Sequence, residues 1–162
     1  MRYALILITA LLLGGCVQKT TYTELTPNFA GVNTFNKSVE IHASGVAMQE
    51  TGFYDEFEKA IGESIQRSNL FTQIATNGSD VTLNAFLVRV SMPIMALSFD
   101  ATVEVAWTLK QNGQVIYRRS FTTSSSQVRV SFAAADRAKS AINAAIKENI
   151  ALALTDISRQ KL

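Results

Sequence analysis

The run Ser98–Lys110 (SFDATVEVAWTLK) constrains this chain more than any other stretch. Phe99, Ala101, Val103, Val105, Trp107 and Leu109 fall on one side of an extended chain, and Ser98, Asp100, Thr102, Glu104, Thr108 and Lys110 on the other. An alternation of two, apolar on one face only, is the pattern of a strand in an antiparallel sheet packed on one side and solvated on the other. Asn112-Gly113 then supplies a residue pair suited to a tight hairpin turn. Gln114–Ser124 returns with Val115, Tyr117 and Phe121 sharing a face, and Gln127–Phe132 suits a prolongation of that strand.

The remaining elements flank that hairpin. Ser38–Ala43 alternates as a short first strand. Thr51 offers an N-cap hydroxyl to a helix of about 16 residues whose Phe53, Phe57, Ile61 and Ile65 recur every four positions; Asp55, Glu56, Glu58, Lys59, Glu63 and Arg67 occupy its other, solvated face. Leu70, Phe71 and Ile74 suit a turn or short edge strand. In Asp80–Ser91 the apolar set shifts from Val81, Leu83 and Ala85 to Phe86, Val88 and Val90, which predicts a bulge or a face covered on both sides. From an N-cap at Ser131, a long Ala-rich helix places Ala138, Ile142, Ala145, Ile146, Asn149, Ala153 and Ile157 on one side, with a bend or a change of neighbours expected at Asn149. The order β-α-β-β-β-α predicts an α+β two-layer sandwich, an antiparallel sheet of about four strands with two helices on one face.

The amino terminus is an address. Met1-Arg2-Tyr3 precedes the apolar run Ala4–Leu13, too short to span a bilayer comfortably and laid out as an export signal. Leu13-Gly14-Gly15-Cys16 closes it and looks like the lipobox of a bacterial lipoprotein signal. That resemblance implies cleavage between Gly15 and Cys16, a diacylglycerol on the Cys16 thiol and an acyl chain on the new amino terminus. Two or three chains anchor stably where one holds only marginally. Lipoproteins retained in the inner membrane often carry Asp after the cysteine, so the resemblance, with Val17 there, implies transfer to the outer membrane. The expected organisation is a signal peptide at 1–15, a lipidated N-terminus and extended tether at 16–36, with Phe29, Val32 and Phe35 able to pack back, and one domain at 37–162.

Lipobox, polar leash, β-α-β-β-β-α core and closing helix together resemble the small envelope lipoproteins of Gram-negative bacteria. The hairpin Val103–Phe121 with Gly113 at its turn is similar to YajG-type and ABC-transport-auxiliary lipoproteins, with the LPS-assembly lipoprotein a cousin. The resemblance implies an interaction protein on the periplasmic face of the outer membrane, held through its lipid anchor and partnered by an envelope protein. It carries over no functional residue besides Cys16.

The chemistry in the sequence is sparse. One cysteine among 162 residues excludes a disulfide framework, and a formal charge of +2 with scattered basic residues argues against a nucleic-acid partner. His42, the sole histidine, has no recognisable nucleophile or orienting partner by spacing and reads as a surface or edge residue. Arg118 and Arg119 point to opposite faces of one strand. No Gly-rich phosphate loop is present, and neither an enzyme nor a cofactor beyond the acyl groups is expected. Met92-Pro93-Ile94-Met95-Ala96-Leu97 is wholly apolar where a loop should be polar. It either closes the core or offers Met92, Pro93, Ile94, Met95 and Leu97 to a partner or to lipid. The favoured function is a non-catalytic adaptor or accessory subunit of an envelope machine; the alternative is a module that shuttles a lipid or glycan between sheet and helices.

Overall fold

The computed structural model describes residues 19–30, 34–48, 50–92, 100–126 and 134–161. In chain order the elements are α1 (Tyr22–Leu25), β1 (Phe35–Gly45), α2 (Phe53–Ser68), β2 (Phe71–Ile74), β3 (Val81–Ser91), β4 (Asp100–Gln111), β5 (Gln114–Ser126) and α3 (Ala134–Ile157). The strands form one sheet in the order β2-β1-β3-β4-β5.

The β3-β4-β5 part is the antiparallel meander that the alternation predicted. Asn112 and Gly113 both take positive φ, 50° and 77°, the backbone a two-residue turn between right-twisted strands requires. The fully antiparallel expectation is corrected on the other side, because β1 lies parallel to both β2 and β3. The intervening helix accounts for the first pairing: a chain leaving β1 into α2 crosses over one face and returns in the same direction as β2. Residues 75–80 then carry the chain past β1 to its other side without a hairpin, so β3 keeps that direction. Among the described residues the sheet is therefore mixed and five-stranded, with three helices rather than two.

Both long helices cover the same face. Val39, Ile41, Leu83, Leu87, Val103, Val105, Trp107 and Leu109 are buried beneath Phe57, Ile61 and Ile65 of α2 and Ile146, Ile150 and Leu154 of α3. Phe57 meets Trp107 edge to face with ring centroids 6.2 Å apart. α2 begins after Gly52 rather than from the expected Thr51 cap.

Two bulges reset the side-chain alternation. In β3 the alternation that buries Val81, Leu83, Ala85 and Leu87 leaves Phe86 in solvent; the register then shifts between Leu87 and Arg89, so Val88 and Arg89 are both exposed and Val90 packs partly against the core. The β4–β5 register shifts between Leu109 and Lys110; Tyr117 is buried, but Val115, expected beside it, is exposed.

The stretch read as a leash is partly built into the domain. Leu25 of α1 is fully buried, which stabilises the docked segment by about 1.5–3 kcal/mol. Tyr22 N–H donates to Glu56 at 2.8 Å and Asn143 Nδ2–H donates to Glu24 at 3.1 Å, tying α1 to both long helices. Phe29 packs against the core and Phe35 already opens β1; Val32 lies outside the described residues.

Candidate functional site

β1 is paired unequally on its two sides. Toward β3 the ladder runs from Val39 to Gly45. Toward β2 it stops at Val39, opposite Ile74, and Ala75 N–H adds a bond to the Val39 carbonyl at 2.9 Å. In a parallel ladder alternate residues turn both main-chain groups to the same side, so Ile41 and Ala43 aim theirs where β2 has already ended. The bond from Ala43 N–H to Glu58 Oε2 of α2, at 3.1 Å, fits that direction. A carboxylate stands where a neighbouring strand would put its carbonyl.

A groove of about 430 Å³ follows this open edge, lined by Glu40, Ile41 and His42 of β1, Glu58 and Gly62 of α2, and Thr76 beyond β2. Gly62 keeps its floor low: a Cβ there would stand 3.4 Å from Ile74 Cδ1 and 3.6 Å from Ile41 Cδ1. A glycine inside a helix costs roughly 0.5–1 kcal/mol relative to alanine. Glu40, Glu58 and Glu63 give the groove an acidic rim. His42 Nε2 lies 3.2 Å from Glu40 Oε1, and His42 is exposed, as its edge position predicted. Lys59 also lines the groove and donates to Glu56 at 2.9 Å. That bond, with the Tyr22 N–H beside it, holds the Glu56 carboxyl below the usual range and raises the Lys59 ammonium above its own. The arrangement can receive an extended main chain along an apolar floor, and it favours basic side chains at the rim.

Of the residues singled out from sequence, Met92 follows β3 half-buried, while Pro93, Ile94, Met95 and Leu97 lie outside the described residues, as do Gly15 and Cys16. Gln127–Phe132 and Ser131 do so too. Arg118 and Arg119 do diverge: Arg119 Nη1 donates to Asp156 of α3 at 2.8 Å on the helical side, while Arg118 pairs across from Thr108 on the open side. Glu56 and Glu58, read as solvated carboxylates, instead tie down α1 and the β1 edge. Among the described residues no group of three His, Cys, Asp or Glu side chains is placed to hold a metal ion, and no described helix is long and apolar enough to cross a membrane. The groove's contributors on α2 escaped the sequence reading, although one signal was present: Gly62 in the middle of an otherwise regular amphipathic helix.

No protein-family model matches this sequence, and no curated protein does. The fold does have relatives of known structure. Protein XCC0632 from Xanthomonas campestris, of family DUF330, aligns with a TM-score of 0.63 at 16% identity, covering 82% of this chain and 90% of that one. A minor lipoprotein from Acinetobacter baumannii gives 0.53 at 12%, covering 75% and 92%. PelC from Paraburkholderia phytofirmans, a dodecamer, gives 0.55 at 12%, covering 78% and 92%. At these identities the likeness is one of fold: this chain has a small bacterial lipoprotein-like fold.

Proposed function

We propose that this protein is a lipid-anchored, non-catalytic adaptor of the bacterial cell envelope, of the kind its sequence resembles among YajG-type and ABC-transport-auxiliary lipoproteins. Cys16, freed by cleavage after Gly15, carries the acyl chains and holds the domain on the periplasmic face of the outer membrane. Its working surface is the open edge of β1, where an extended segment of an envelope protein adds as a sixth strand. The observation that carries this reading is the early end of β2, which leaves the Ile41 main-chain groups without a strand partner beside a groove with an apolar floor, the Ala43 N–H next to them held by the Glu58 carboxylate that an incoming strand would displace. Main-chain bonds would supply affinity, and the acidic rim would select segments bearing Lys or Arg. A lipid or glycan held between sheet and helices is the weaker reading, because Trp107, Phe57 and Ile61 already fill that interface without exposure.

A photoreactive phenylalanine at Thr76 in the groove, compared with one at Thr122 on the open sheet face, tests the reading in intact cells. A discrete protein adduct from Thr76 alone is expected. Gly62→Met fills the groove from the helix side with a better helix former, so it should abolish that adduct without lowering the melting temperature. An adduct indifferent to the filled groove, or formed only from Thr122, rejects the β1 edge. Loss of an alkyne-palmitate label in Cys16→Ser tests the anchor separately.

A further inference from the structure

We infer that the domain sits directly on the bilayer rather than being lifted off it, with the end of the sheet that carries Gly45 and the start of α2 turned toward the lipid; this rests on the acylated Cys16 of the proposed function. The carrying observation is that the chain is already part of the domain at Thr20. Thr20 is 2% exposed, and both its N–H and its hydroxyl donate to the Glu50 carboxylate, the hydroxyl at 2.7 Å. Tyr22, Glu24 and Leu25 continue the attachment, so the segment from Thr20 onward belongs to the domain. Three residues stand between Cys16 and Thr20, a span of four Cα-to-Cα steps, and a fully extended chain covers at most about 3.6 Å per step. The acyl anchor therefore holds Thr20 within about 14 Å of the lipid, little more than the diameter of one helix. A free tether of residues 17–36 would instead have allowed roughly 70 Å.

The topology says which end is held. β1 and β3 run parallel, and β4 and β5 run against and then with them, so Gly45, Ser91, Asp100 and Ser126 all end together. Glu50 lies between the end of β1 and the start of α2, which places Thr20 at that same end. The hairpin turn at Asn112-Gly113 stands at the opposite end, the length of β4 away, roughly 36 Å at 3.3 Å per residue. Lys19 lies at the bilayer end: a Cβ on Gly52 would stand 3.1 Å from its Nζ. Val46 there is 39% exposed. The occupant of this end is a phospholipid surface, and the open β1 edge from Ile41 to Gly45 descends toward it.

The test uses the full-length protein, processed in cells and reconstituted into vesicles of phosphatidylethanolamine and phosphatidylglycerol that contain a headgroup-nitroxide lipid. With Cys16 acylated, a single added thiol takes a fluorophore, either Val46→Cys at the bilayer end or Gln114→Cys beside the distal turn. Expected is strong quenching at Val46 and at least fivefold less at Gln114. A twenty-residue Gly/Ser spacer inserted between Gln18 and Lys19 should remove the quenching at Val46. Intact mass of each sample decides between the two levels of failure. A protein that lacks the acyl groups overturns the anchor and this inference together; an acylated protein unquenched at Val46, or quenched equally with the spacer, overturns the inference alone.

Discussion

The indole Nε1–H of Trp107 donates to Oδ1 of Asn149 at 2.9 Å, joining the centre of β4 to the middle of α3 inside the core. Asn149 is fully buried and spends its amide donors on the Phe121 carbonyl at 2.7 Å and the Thr123 hydroxyl at 3.3 Å. The hydroxyl in turn donates to the Ala145 carbonyl at 2.7 Å. A polar residue in the apolar stripe of α3 thus does not end the helix, which runs on to Ile157; it gives the buried Trp107 N–H its acceptor.

Replacing it exposes what it does. Asn149→Leu leaves the Trp107 N–H and the Phe121 carbonyl without their side-chain partner, and unpartnered buried groups cost about 1–3 kcal/mol each. We expect a loss of about 2–4 kcal/mol in urea unfolding. Leucine that proved neutral would show the network to be dispensable, as two apolar replacements of matched shape can be.

Gly45 ends β1 with φ 150°, and a Cβ on it would lie 2.3 Å from the Leu87 carbonyl oxygen and 2.7 Å from Leu87 Cβ. Neither backbone atom nor Cβ can swing aside. Gly45→Ala should therefore open the β1–β3 ladder at that end and cost about 2 kcal/mol or more. Calorimetry should show a melting temperature lower by roughly 4 °C for each kcal/mol in a domain of this size.

Much of the core was legible because its burial is one-sided and periodic. Phe53, Phe57, Ile61 and Ile65 mark their own helix face, and Val103 to Leu109 mark theirs. Direction and pairing were less legible, since period two is the same in parallel and antiparallel strands; only the helix between β1 and its neighbours forced the crossover. The docking of Tyr22–Leu25 was hidden by length, four residues being too few to show a period. A faint sign was there in Thr21 and Glu24, spaced as a capping box, and the Glu24 carboxylate does reach the Thr21 N–H at 3.4 Å. The groove was least legible of all, because it is made by where β2 stops, and strand ends are set by tertiary pairing.

Asp80 and Ser38 clasp the first turns of β3 and β1. Asp80 Oδ2 accepts Ser38 N–H at 2.7 Å and its hydroxyl at 2.8 Å, and Asp80 N–H donates to Ser38 Oγ at 3.0 Å. The Ser38 N–H, then its hydroxyl, hold the Asp80 carboxyl below its ordinary value of 3.8. A carboxyl depressed in the folded state adds stability above the unfolded pKa, and that gain disappears as pH falls through the folded value. The stability difference between the native chain and Asp80→Asn should be full near pH 6 and shrink below about pH 4. A difference that stayed constant to pH 2.5 would assign the clasp to hydrogen bonding without charge.

Glu58 guards the open edge. A bare strand edge templates pairing with another chain, and natural sheets blunt such edges with charge or cover. Here the Glu58 carboxylate accepts the Ala43 N–H that a neighbouring strand would otherwise take. Glu58→Ala leaves that donor exposed beside Ile41, and two copies can then pair edge to edge. Sedimentation velocity should show concentration-dependent dimers of the alanine variant where the native chain does not form them. Folding itself should weaken by no more than about 1.5 kcal/mol, the range of one hydrogen bond. Glu58→Gln keeps an acceptor at the same reach and should behave as the native chain. If the alanine variant stays as dispersed as the native chain at matched concentration, the carboxylate is not what keeps β1 from self-pairing, and the low floor at Gly62 together with the acidic rim must be doing so.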